Sequence, residues 1–120
     1  MKHLVFVDDN ETLVNIMQSE LEDYYNVNVF VNPQEALDYM ISNIENIDIL
    51  LTDFMMPQFN GLQLVTEIKK RNPKIHTIIL TGYCKSMENE ADIKNCDLML
   101  DKNILKDTDD LIDEINSICL

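Results

Sequence analysis

The stretch Ile47-Asp48-Ile49-Leu50-Leu51-Thr52-Asp53-Phe54-Met55-Met56-Pro57 decides the fold, because it is an apolar run that stops on an isolated acid and then turns at a proline. A buried strand seldom ends on a charge without a use for it. Two other runs share the feature. Leu4-Val5-Phe6-Val7 leads into Asp8 and Asp9, and Asp97-Leu98-Met99-Leu100 leads into Asp101 and Lys102.

Around these runs, short apolar segments alternate five times with amphipathic ones, the pattern of an α/β domain with a parallel sheet. The expected strands cover residues 3–8, 27–31, 47–53, 75–80 and 97–100. Between them Leu13, Val14, Met17 and Leu21 form one helical stripe, and Ala36, Leu37, Met40, Ile41 and Ile44 form a second behind the cap Asn32 and Pro33. Leu62, Val65 and Ile68 follow Asn60-Gly61 in a third helix that ends at Asn72-Pro73. Leu111, Ile112, Ile115 and Ile118 mark the last helix, with Thr108 as its expected cap and Asp109 and Asp110 facing its dipole. Between Lys85 and Asn95 the stripe is poor, and a loosely docked helix is expected there.

Composition limits the partners. A chain of 120 residues with 46% apolar residues suits one compact domain, 1–120, able to bury a core. The net charge of −13 opposes chain-wide attraction to nucleic acid or anionic lipid. No apolar stretch approaches the roughly 20 residues of a membrane span, and no secretory leader opens the chain, so a cytoplasmic location is expected. Cys84, Cys96 and Cys119 lack metal spacing and read as reduced thiols. The seven methionines read as core filler, and His3 and His76 as packing or surface groups.

Parallel strands joined by right-handed crossovers bring their carboxyl ends to one edge, where ligands bind. That edge collects Asp8, Asp9, Asp53, Thr81 and Lys102. One lysine does not balance three acids, and an all-oxygen site of high charge suits Mg²⁺. Within such a cluster a carboxylate can attack phosphorus to form an acyl phosphate, and Asp53, alone at its strand end, is the candidate nucleophile. The plainer readings are that Asp8 and Asp9 cap the next helix, Asp53 is a turn acid, Thr81-Gly82 is turn chemistry and Lys102 is a surface lysine.

These residues resemble the receiver domains of two-component response regulators. Asp8-Asp9 is similar to the family's acid pair. Asp53-Phe54-Met55-Met56-Pro57-Gln58-Phe59-Asn60-Gly61 resembles its phosphoacceptor segment, Leu80-Thr81-Gly82-Tyr83 its hydroxyl residue after the fourth strand, and Lys102 its lysine after the fifth. The resemblance implies a (βα)5 doubly wound, flavodoxin-like sheet of order 2-1-3-4-5. In it, Asp53 would accept a phosphoryl group from the phosphohistidine of a sensor histidine kinase or phosphotransfer protein. Asp9, Asp53 and the Met55 backbone carbonyl would ligate Mg²⁺, with Asp8 acting through water. Lys102 would contact the phosphoryl oxygens, and Thr81 would turn toward them.

The chain departs from the family at Met99, where an aromatic switch residue is usual, and at Asn103, where a proline is usual. Met55 and Tyr83 flank the site and could hinder hydrolytic water. Because the chain stops at Leu120, the expectation is a stand-alone receiver that catalyses only its own phosphorylation and dephosphorylation. Its output would be contact with a downstream target protein, as a diffusible regulator or phosphorelay intermediate, through the fourth helix, fifth strand and last helix. A phosphorylation-dependent dimer is left open. Two other classes stand beside this one, an interaction module that works without phosphorylation and an aspartyl-phosphate phosphohydrolase.

Overall fold

The computed structural model describes residues 1–82 and 96–119. Five parallel strands, β1 (His3–Val7), β2 (Asn26–Phe30), β3 (Ile49–Asp53), β4 (His76–Thr81) and β5 (Leu98–Asp101), form one sheet of order β2-β1-β3-β4-β5. The expected order is therefore present. The described helices are α1 (Glu11–Leu21), α2 (Pro33–Ser42), α3 (Gly61–Arg71) and α4 (Thr108–Ile118), with a 3-10 turn at Lys102–Lys106. The weak amphipathic stretch between Lys85 and Asn95, together with Tyr83 and Cys84, lies outside the described residues.

Both faces of the sheet are covered, which is why β3 is buried at every position rather than alternating. Leu4, Phe6, Ile49, Leu51, Ile78 and Leu80 pack with α1 and α4. Val5, Val7, Leu50 and Ile79 pack on the other face with Ala36, Met40, Leu64 and Ile68 of α2 and α3. Alternate residues of each strand thus feed two separate cores.

Side-chain caps fix where the helices begin. Asn10, Asn32 and Asn60 accept amide protons from the first turns of α1, α2 and α3, and Asn60 with Gln63 closes a reciprocal capping box. The cap of α4 is Asp107 and not Thr108, since the Asp107 carboxylate accepts the Asp110 amide at 3.2 Å. Thr108 instead opens the helix and donates its hydroxyl to Glu20.

Three further expectations change. β3 begins at Ile49, not at 47; Asp48 precedes it, its carboxylate accepting the His3 amide at 2.8 Å and its own amide donating to the His3 carbonyl at 3.0 Å. β2, β4 and β5 are each displaced by one residue from the expected spans, and β1 ends at Val7 rather than at 8. Among the described methionines only Met17 and Met40 are fully buried, while Met1 and Met55 are exposed.

Candidate functional site

Parallel pairing carries Asp8, Asp9, Asp53, Thr81 and Lys102 to one edge of the sheet. β1, β3 and β4 are in register, so Val7 lies beside Thr52, and Asp53 beside Leu80. Asp8 and Asp9 follow β1 directly, Thr81 closes β4, and Lys102 opens the 3-10 turn after β5.

The acids and the lysine are in contact. Lys102 Nζ lies 2.8 Å from Asp8 Oδ2 and 3.3 Å from Asp53 Oδ2. Asp8 is fully buried, Asp53 nearly so, and Asp9 is exposed, yet one oxygen of each falls within 4.8 Å of the others. The other Asp8 oxygen, Oδ1, accepts the Asn10 amide at 2.9 Å, which fixes the carboxylate plane.

Charge at this edge is in excess. Burial, then the neighbouring Asp8, pushes the Asp53 carboxyl above its ordinary value; Lys102 pulls it down, and Asp9 adds a smaller push upward. Burial would lower the Lys102 ammonium, but its bonds to Asp8 and Asp53 outweigh burial and hold it above the ordinary value. Buried Asp8 Oδ2 has the Lys102 ion pair and no hydrogen bond of good geometry among the described residues. A clustered oxygen donor set, an acid held up by its neighbours and an incompletely satisfied buried carboxylate oxygen together fit a small divalent cation such as Mg²⁺.

The loop after β3 is shaped for close approach. A Cβ on Gly61 would lie 2.3 Å from the Asp53 carbonyl oxygen, so only glycine lets α3 start against the peptide that follows Asp53. The Gly61 amide donates to the Phe54 carbonyl at 2.9 Å, and the Phe54 amide to the Leu80 carbonyl at 2.9 Å. Gln58, with φ of 74°, holds the left-handed conformation that turns the chain toward α3.

Residues 4–116 match the family described as response regulator receiver domain. This chain belongs to that family. Its members are signalling modules of two-component systems, and their acidic pockets bind Mg²⁺. The curated protein "Response regulator SaeR" of Staphylococcus aureus (strain USA300) is 37% identical over 92 residues, a match covering 76% of this chain and 38% of that protein. The receiver thus spans about two fifths of the relative's length. Response regulator protein TrrA from Thermotoga maritima, solved in complex with Mg(2+)-BeF, is 27% identical with a TM-score of 0.84 over 98% of both chains. A CheY-like receiver domain protein from Methanospirillum hungatei is 26% identical with a TM-score of 0.82, covering 98% of this chain and 92% of that one.

Of the residues singled out from sequence, Asp8, Asp9, Asp53 and Lys102 come together. Thr81 is buried at the end of the adjacent strand, and Met55 stands in the loop after Asp53 with its side chain exposed. The plain reading of Asp8 and Asp9 as helix caps gives way, since Asn10 caps α1.

At the two departures the receiver makes its own arrangements. The Asn103 amide donates to Asp101 Oδ1 at 2.9 Å, a bond that a proline could not make, and no cis peptide occurs among the described residues. Met99 is partly buried against the core under α2 and α3. Sequence reading passed over Thr52, whose only signal is a hydroxyl within an otherwise aliphatic buried strand.

Proposed function

We propose that this receiver, 1–120, accepts a phosphoryl group on Asp53 from the phosphohistidine of a sensor histidine kinase or phosphotransfer protein, in a Mg²⁺-dependent reaction. The observation that carries the reading is the pair of contacts from Lys102 to Asp8 and Asp53, at 2.8 and 3.3 Å, around a carboxyl whose ionised form is disfavoured by burial. The TrrA complex with Mg(2+)-BeF supports it from a relative of the same fold.

In this reading Asp9, Asp53 and the Met55 carbonyl hold Mg²⁺, and Asp8 contributes through water. The ion supplies positive charge that offsets the three acids and screens the phosphoryl oxygens. An Asp53 oxygen attacks phosphorus, the donor's P–N bond breaks, and its electron pair stays on the imidazole nitrogen. Lys102, already 3.3 Å from Asp53 Oδ2, exchanges that contact for a phosphoryl oxygen. Thr81, on the strand beside β3, donates its hydroxyl to the same group. A phosphoryl group adds nearly two negative charges and three acceptors, which the lysine and the hydroxyl contact in the modified state.

Catalysis is confined to the receiver's own phosphorylation and dephosphorylation. Output runs through contact with a downstream protein, as a single-domain regulator or phosphorelay intermediate, with dimerisation on phosphorylation as one form of that contact. Nucleic acid and membrane are not its targets, in keeping with the net charge of −13, and its setting is the cytoplasm. Met99, which has no hydroxyl to relocate, favours a second reading as a module that docks regardless of phosphorylation.

Intact mass after incubation with a small-molecule phosphodonor separates the two. The expected result is a phosphoryl gain that needs both Mg²⁺ and Asp53, absent in Asp53→Asn. No gain with any donor would leave the phosphorylation-independent module.

A further inference from the structure

Thr52 is buried, polar and adjacent to Asp53 in a strand whose other residues before the acid are Ile49, Leu50 and Leu51. Its hydroxyl donates to the Asp53 carbonyl oxygen at 3.0 Å and lies 3.8 Å from Met56 Sδ. That carbonyl is the atom that a Cβ on Gly61 would meet at 2.3 Å. The next peptide units are held by the Leu80 carbonyl and the Gly61 amide, each at 2.9 Å. The backbone that carries the phosphoacceptor is thus clamped by β4, by α3 and by one side-chain hydroxyl.

We propose that Thr52 is a positioning residue for phosphoryl transfer, its hydroxyl setting the plane of the Asp53–Phe54 peptide and through it the aim of the Asp53 carboxylate. The inference rests on the reading of Asp53 as phosphoacceptor. A strand interior fixes its backbone by ladder bonds, but Asp53 is the last residue of β3, where the ladder ends and the loop toward Met55 begins. At that point a change in ψ of Asp53 alters where its carboxylate sits relative to the loop that carries the Met55 carbonyl. Displacement of a reacting group by about 1 Å can lower a rate on the order of 100-fold. The weak contact with Met56 ties the same hydroxyl to the loop beyond.

The test compares native chain, Thr52→Val, Thr52→Ala and Thr52→Ser for labelling rate by intact mass with phosphoramidate and Mg²⁺. Thermal unfolding and the Asp53 carbonyl ¹³C shift are measured without donor or metal. The expected result is labelling slowed about tenfold or more in Thr52→Val and Thr52→Ala, and restored to within about threefold in Thr52→Ser. The carbonyl shift moves in the first two and not in the third. Thr52→Ala decides the matter on the same criteria if Thr52→Val melts below the assay temperature. Native-like labelling in the folded hydroxyl-free variants overturns the positioning role and leaves Asp53 as phosphoacceptor, and equal slowing in Thr52→Ser overturns it as well. Failure of the native chain to label overturns the phosphoacceptor reading, and this proposal with it.

Discussion

The two edges of the sheet treat their polar groups in opposite ways. At the edge where the strands begin, Asp48 accepts the His3 amide at 2.8 Å, and Tyr39 donates to Asn28 at 3.0 Å. Asp97 there takes both the amide and the hydroxyl of Thr77 and pairs with Lys69 at 2.6 Å. Burial works against the Asp97 carboxylate, but Lys69 and Thr77 outweigh it and hold the group below its ordinary value. At the edge where the strands end, Asp8 and Asp53 share one lysine beside the exposed Asp9, and burial with Asp8 holds Asp53 above its ordinary value. The first arrangement stabilises the fold. The second opposes it, the pattern in which perturbed acids mark function, and under the proposed function a cation and a phosphoryl group complete it.

The largest expected effect bears on how tightly α3 is drawn against Asp53. Gly61→Ala places a Cβ within 2.3 Å of a backbone oxygen, so the start of α3 must move. Overpacking of this kind costs about 1–3 kcal/mol, read as a lower urea midpoint, and labelling of Asp53 should fall with it. An unchanged midpoint would show that the loop yields freely.

Asp97→Asn tests the satisfied edge. Loss of charge-assisted bonds to Lys69 and Thr77 should cost about 1 kcal/mol at pH 7, reduced from the buried value because the pair is partly exposed. The Asp97 carboxyl is lowered, so its stabilisation is present above the ordinary value of 3.8 and is lost as pH falls through the folded value. Unfolding curves of variant and native chain should therefore separate at neutral pH and converge in acid.

Asp53→Asn tests the opposite edge and should have the opposite sign. A raised carboxyl favours the folded state most below 3.8, and that advantage is lost as pH rises through the folded value. The asparagine variant should melt a few degrees above the native chain at pH 7 and converge with it below that value. A lower melting temperature at pH 7 would mean that Lys102 already balances the acids and would erase the contrast between the edges.

The smallest effect is at Gln58. Relief of its left-handed backbone by Gln58→Gly should add about 0.5 kcal/mol, after the flexibility of glycine in the unfolded chain is set against it. Equilibrium unfolding in urea resolves the sign.

Much of this was readable along the chain because it follows local rules. Strand ends on Asp8, Asp53 and Asp101-Lys102, the Asn32 cap before Pro33 and the alternation of apolar runs with helical stripes specify parallel strands with their charges on one edge. Near the ends of elements, local rules compete. Asp107 and Thr108 are both good caps, and the backbone at Asp107 is extended while Thr108 is already helical, a choice set by how the preceding 3-10 turn enters α4. Asp48 looked like part of a strand because its neighbours are isoleucines, and its backbone does bond to His3 and His76 on either side, yet the regular ladder starts one residue later.

Residue types and their spacing were thus enough for parallel strands and for the company that Asp53 keeps, since strand periodicity and crossover handedness are properties of the local chain, whereas the sheet order came with the resemblance to receiver domains. Which oxygen of Asp8 meets Lys102, how the Asp53 carboxyl is shifted and why Gly61 must lack a side chain depend on distances between residues far apart in sequence. Desolvation and Coulomb energy are set by such distances and by burial, and those exist only once the two cores close around the sheet.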